Sequence, residues 1–68
     1  MKSKFELYKS LGEENTELAK KIIKLEKFTK SDDFEELSAK QQRLLIIQHS
    51  VMLAYADILL QRIDEIND

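Results

Sequence analysis

Four polar side chains recur at seven-residue intervals through an otherwise apolar stretch: Gln41, Gln48, Tyr55 and Arg62. Seven residues are two helical turns, so on a helix these four stack along one line. Their types suit recognition. The Arg62 guanidinium can grip a phosphate through two parallel hydrogen bonds. Tyr55 can stack on a base or cover a ribose. Gln48 has both donor and acceptor atoms and can read a base edge. In the N-terminal half, Tyr8, Asn15 and Lys24, with the lysines around it, offer a ring, an amide and a cation. The plainer reading is that Asn15, Gln48 and Arg62 only fix register and oligomer state, as single polar residues in helical seams do. Spacing alone favours that plainer reading.

Bond-making chemistry has little to work with. His49 is the single histidine, and there is no cysteine. No Gly-rich phosphate loop, His-x-x-x-His pair or Ser-His-Asp set can be drawn. The many carboxylates fall at solvent-facing positions. His49 sits at the edge of an apolar arc and reads as an interface or boundary residue. The sequence predicts no enzyme, no metal site and no cofactor.

The element that must carry the polar row is Ser38 to Ile66, which has neither proline nor glycine and spans about 42 Å if helical throughout. Its apolar residues, Leu44 to Ile47 and Val51 to Leu60 with few interruptions, spread over roughly 250° of the helix. Arg43, Ser50, Asp57, Gln61 and Asp64 form the one wet strip. An ordinary surface helix hides a little over 100°. One neighbour cannot cover this face, so a second copy of the chain is expected to.

The N-terminal half is the neighbour. Tyr8, Leu11, Asn15, Leu18, Ile22, Leu25 and Thr29 alternate spacings of three and four, a coiled-coil-like seam. Gly12 weakens that helix, by about 1 kcal/mol relative to alanine, and suggests a break or a close backbone approach. Glu17 with Lys21 and Glu26 with Lys30 are i,i+4 pairs in the favourable order. Lysines crowd the C-terminal half of this helix, where its macrodipole favours them. Ser31, Asp32 or Asp33 can cap a short turn that lets Phe34 and Leu37 plug the closed end of a hairpin. Ser38 and Gln41 have capping-box spacing. Phe5, Phe28 and Phe34 are read as core or interface packing, and Asn67-Asp68 as a fraying tail.

The fold class is therefore all-α: an antiparallel helical hairpin with a long C-terminal helix, assembling into a homo-oligomeric bundle. Helices are expected over about residues 4–30 and 39–66, with a capped turn at 31–38, all in one domain. Matching Thr29 with Ala39 gives a register in which paired numbers sum to about 68 to 70. That register sets Asn15 near Tyr55, Ile22 near Gln48 and Tyr8 near Arg62.

Composition agrees with a small helical binder. At 68 residues a single core is marginal, and without disulfides subunit association is the remaining support. The net charge of −2 divides unevenly: Met1 to Lys30 has eight lysines against five glutamates, whereas Ser31 to Asp68 has three basic against eight acidic residues. Overall acidity argues against a long nucleic acid, which needs a basic face. The longest apolar run, Leu44 to Ile47, is too short to cross a bilayer, and the N-terminus lacks a signal-peptide core. A complete cytosolic chain is expected.

Lys24 to Phe28 (KLEKF), Phe34 to Ser38 (F-x-x-L-S), Gln42, Leu45 and Gln48 (Q-x-x-L-x-x-Q), and Met52, Tyr55, Ile58, Leu59, Arg62 and Ile63 (M-x-x-Y-x-x-I-L-x-x-R-I) follow in order. Over roughly Leu18 to Ile63 the set resembles small phage-encoded helical-hairpin proteins that evade the cyclic-oligonucleotide-based antiphage system (CBASS) by sequestering its signals. The tetrameric kind is the nearest in pattern. The resemblance implies a homotetramer that sequesters a cyclic dinucleotide such as 3′,3′-cGAMP, without catalysis, in the cytoplasm of an infected bacterium. The alternative is a structural or adaptor module that binds a partner protein through its apolar face.

Overall fold

A computed structural model describes residues 3–67. Helix α1 runs Lys4–Thr29, a single-turn α2 runs Asp32–Glu35, and α3 runs Ala39–Asn67. The chain is the expected all-α hairpin, α1 lying along α3. It is a rod of 47 × 19 × 15 Å with a radius of gyration of 15.4 Å. A compact chain of this length would have about 11 Å. Asp68, part of the expected frayed tail, lies outside the described residues, and α3 continues through Asn67.

Each helix starts on a serine. Ser3 Oγ accepts from the Glu6 N–H at 3.1 Å, Ser31 Oγ from Phe34 N–H at 3.4 Å, and Ser38 Oγ from Gln41 N–H at 3.1 Å. Each oxygen satisfies a donor that the first helical turn leaves without a backbone partner. Ser31 also donates to the Phe28 carbonyl at 2.6 Å, so it closes α1 and opens α2 together. The Phe28 and Phe34 rings meet edge to face with centroids 6.1 Å apart. With half-buried Leu37 they plug the closed end, as the sequence led one to expect. Phe5 differs: it is 75% exposed and takes no part in the core.

Gly12 marks neither a break nor a close approach. α1 passes straight through it, and a Cβ there would meet nothing within 4 Å. Thr16 Oγ donates to its carbonyl at 2.9 Å. The surface pairs also rearrange. Glu17 bonds Lys20 at 3.3 Å rather than Lys21, and Glu26 turns from Lys30 to His49 Nε2 at 2.9 Å. Positions i+3 and i+4 lie equally within reach of a helical glutamate. Glu26 lies beside the seam, within reach of the His49 ring on α3.

The core is thin: Leu11, Leu18 and Ile22 of α1 and Leu59 of α3 are the buried apolar residues, with Leu7, Met52, Ala56, Ile63 and Ile66 packed against them. On α3 the less exposed positions are Gln42, Leu45, His49, Met52, Ala56, Leu59, Ile63 and Ile66, alternating steps of three and four. On α1 the seam holds from Leu11 to Thr29, but its first member is Leu7, half-buried, and not Tyr8, which is 45% exposed. A straight helix has 3.6 residues per turn, so a strict seven-residue repeat drifts off the contact line toward its end.

The register differs from expectation by about six residues, between one and two turns. Glu26 and His49, in contact, have numbers that sum to 75. The groove at the closed end sets Thr29 and Lys30 beside Ile46, which agrees. The cause is α2. Its turn overlies the first turn of α3, where Gln42 Nε2 reaches the carbonyls of Phe34, Glu35 and Leu37 at 3.1, 3.3 and 3.0 Å. Thr29 therefore cannot reach Ala39, and α1 meets α3 further along.

Eight large apolar residues of α3 stay exposed: Leu44, Ile46, Ile47, Val51, Leu53, Tyr55, Ile58 and Leu60. By length and composition alone Ala39–Ile66 could cross a membrane, and little of it is buried. Counting uninterrupted apolar runs missed this, because the apolar residues are broken up singly. The hairpin partner opposes insertion: α1 presents exposed Lys9, Glu17, Lys20, Lys21 and Lys24, which hydrocarbon would have to accept as well.

Candidate functional site

The polar row stands on the flank of α3. Gln41, Gln48, Tyr55 and Arg62 each precede a seam residue by one position, so they point roughly 100° away from Gln42, His49, Ala56 and Ile63. All four are exposed. The sequence placed this row against α1, but α3 turns the line one position on, Gln42, His49, Ala56 and Ile63, toward α1 instead. Among the described residues no hydrogen bond joins Asn15 to Tyr55 or Tyr8 to Arg62. Gln48 reaches only Met52 Sδ, at 3.9 Å. Asn15 is half-buried in the α1 seam.

Arg62 stands in the most apolar of the three grooves. It lines an open groove of about 370 Å³ at the free end of the hairpin with Leu7, Leu11, Ile58, Gln61, Glu65 and Ile66. The walls are chiefly apolar, and Gln61, Arg62 and Glu65 supply the polar groups, a composition usual for small-molecule sites. Periodicity gave no sign of this groove, because Leu7 enters the seam in place of Tyr8. Tyr8 and Tyr55 are 45% and 41% exposed.

Lys24 lies apart. It lines a groove of about 380 Å³ on the outer face of α1 with Glu17, Lys20, Lys21 and Ile23. Lys20 is held by Glu17, and this surface is cationic. A third groove at the closed end is lined by Glu26, Thr29, Lys30, Ile46, His49 and Ser50. His49 there is a seam residue bonded to Glu26, with 25% of its side chain exposed.

One protomer does not gather the six candidate residues. Fourteen residues of helix separate Gln48 from Arg62, roughly 21 Å, and sixteen separate Tyr8 from Lys24, roughly 24 Å. A single dinucleotide could not touch them all. The described residues hold no group of three or more carboxylate, imidazole or thiol side chains that could take a metal. The surface offers apolar walls, amides, two tyrosine rings and scattered cations.

The model of the Sequestin family matches residues 6–65. No curated protein and no solved structure matches the chain.

Proposed function

The chain belongs to the Sequestin family, and from that premise we propose that it is a non-catalytic sponge for a cyclic nucleotide signal. The family name and the small all-helical fold support sequestration of a small ligand by binding alone. The finer reading is that the ligand is a cyclic dinucleotide such as 3′,3′-cGAMP, that the protein is phage-encoded, and that it acts on CBASS in the cytoplasm of the infected host. The observation that carries the reading beyond the family name is the exposed row of Gln41, Gln48, Tyr55 and Arg62 beside an uncovered apolar face. A homo-oligomer, a tetramer in the first place, covers that face and brings rows from different protomers around one ligand. Arg62 then takes a phosphate, Tyr55 and Tyr8 stack on the bases, Gln48 and Asn15 read base edges, and Lys24 adds cationic charge.

Sequestration is stoichiometric, so it must be tight. Nanomolar affinity corresponds to about −12 kcal/mol. A pocket assembled before the ligand arrives helps, because binding then orders few side chains. The experiment is to mix the purified protein with a panel of cyclic dinucleotides, other cyclic nucleotides and linear nucleotides, remove unbound ligand, and heat. A sponge retains one class and releases it intact. Altered products would establish an enzyme in its place.

The exposed apolar face also favours a second reading, an adaptor that docks a helical partner protein. That reading predicts that no member of the panel is retained.

A further inference from the structure

The outer face of α3 is itself a seam. Leu44, Ile47, Val51, Ala54 and Ile58 are exposed and step by three and four, the spacing that lets one helix knob into another. Continuing the same steps outward reaches Lys40 at one end and Gln61, then Glu65, at the other. The outer face of α1 has no such stripe, since Glu13, Glu17, Lys20, Lys24 and Lys27 occupy it.

We propose that a second copy of the chain docks on this face, α3 against α3 and antiparallel, with Lys40 opposite the partner's Glu65 and Ile47 opposite the partner's Ile58. Charge selects the occupant and its direction. A parallel pair would set Lys40 on the partner's Lys40 and Glu65 on the partner's Glu65. The antiparallel pair turns both ends into opposite-charge contacts, and along one flank it brings Arg43 toward the partner's Asp64. In between, Val51 packs on the partner's Ala54, a large residue against a small one. Sliding by one heptad would set Lys40 against the partner's Ile58 and leave Glu65 unopposed.

This docking completes the polar row. In an antiparallel pair each flank of the seam faces the same flank of the partner, in reverse order. Gln48 comes beside the partner's Tyr55, and Gln41 beside the partner's Arg62. Two equivalent clusters form, each drawing its amides from one copy and its ring and guanidinium from the other. Neighbouring members of a row are roughly 10 Å apart, the scale of a nucleotide. The docking itself stands on the seam and its charges; the ligand role of the clusters rests on the sponge function proposed above.

Cysteine pairing tests the docking, since the chain has no cysteine of its own. Ile47→Cys and Ile58→Cys are made in separate chains. Under mild oxidation the mixture should give covalent dimers and neither variant alone should. Self-crosslinking of either variant, or a monomer in sedimentation with no crosslink in the mixture, overturns the proposal. So does binding of the intact protein to phosphatidylcholine–phosphatidylglycerol vesicles in place of self-association. Lys40→Glu should weaken association about tenfold at low salt, and adding Glu65→Lys should restore it.

The shared clusters are tested in the crosslinked pair by retention of 3′,3′-cGAMP. Gln48→Ala in one chain with Arg62→Ala in its mate places both changes in one cluster and should halve retention. The same two changes in a single chain damage both clusters and should abolish it. Equal retention by the two arrangements overturns the shared clusters. If the unsubstituted pair crosslinks as expected but retains nothing from the nucleotide panel, the sponge function fails and the docking stands.

Discussion

Gln42 holds the turn together with a single amide. Its two N–H groups are shared among three carbonyls of the α2 segment, those of Phe34, Glu35 and Leu37. Gln42→Ala would remove all three bonds; the Phe34 carbonyl keeps the Leu37 N–H and the Glu35 carbonyl is open to water, so the expected cost is about 1 kcal/mol. Urea denaturation should show a lower midpoint with unchanged slope. Gly12→Ala should act in the opposite sense. The position is helical, and the added Cβ meets open space, so the substitution gains up to about 1 kcal/mol by relieving glycine's entropic cost. A lower melting temperature for Gly12→Ala would contradict the structure around it. The Glu26–His49 contact is partly solvated and contributes at most about 1 kcal/mol. Its value is diagnostic, since it reports the register directly.

At the scale of elements, α1 and α3 are unequal. α1 offers one apolar stripe and gives three of the four buried residues; α3 gives only Leu59, although it is the more apolar helix. Leu59 is fully buried, so Leu59→Ala should cost about 2–5 kcal/mol, measurable as loss of helical circular dichroism at lower temperature. Ile58, its neighbour, is 53% exposed in the hairpin. Were α3 to face water there, Ile58→Lys would change stability by less than about 0.5 kcal/mol. If a second copy covers it, the same change dissociates the oligomer in sedimentation. The two adjacent positions thus separate the inner seam from the outer one.

For the whole molecule, a four-residue core in a 47 Å rod is little to offset chain entropy. Stability should therefore rise with protein concentration, because association is then part of folding. Ligand adds to this: at 100 times its dissociation constant, a retained nucleotide should stabilise the fold by about 2.7 kcal/mol. A thermal shift that depends on neither protein concentration nor any nucleotide would remove both the oligomer and the sponge.

Helix positions, the Ser38 cap, the Phe34 and Leu37 plug and the apolar excess of α3 were all legible in the chain; the Ser3 cap was not read from it. Each depends on neighbours within a few residues or on a local period, and such terms survive without knowledge of what packs against them. The register of α1 on α3 was not legible. It turned on how much of α3 the α2 turn overlies, a matter settled by Gln42 reaching back to three carbonyls. A rotation of about 100° about the axis of α3 left Gln41, Gln48, Tyr55 and Arg62 on an open flank, and Leu7 took the place of Tyr8 in the groove beside Arg62. Period chooses which residues share a line of a helix. Only tertiary packing decides what that line faces, because the rotation of one helix against another is fixed by the contacts at its ends as much as by its own pattern.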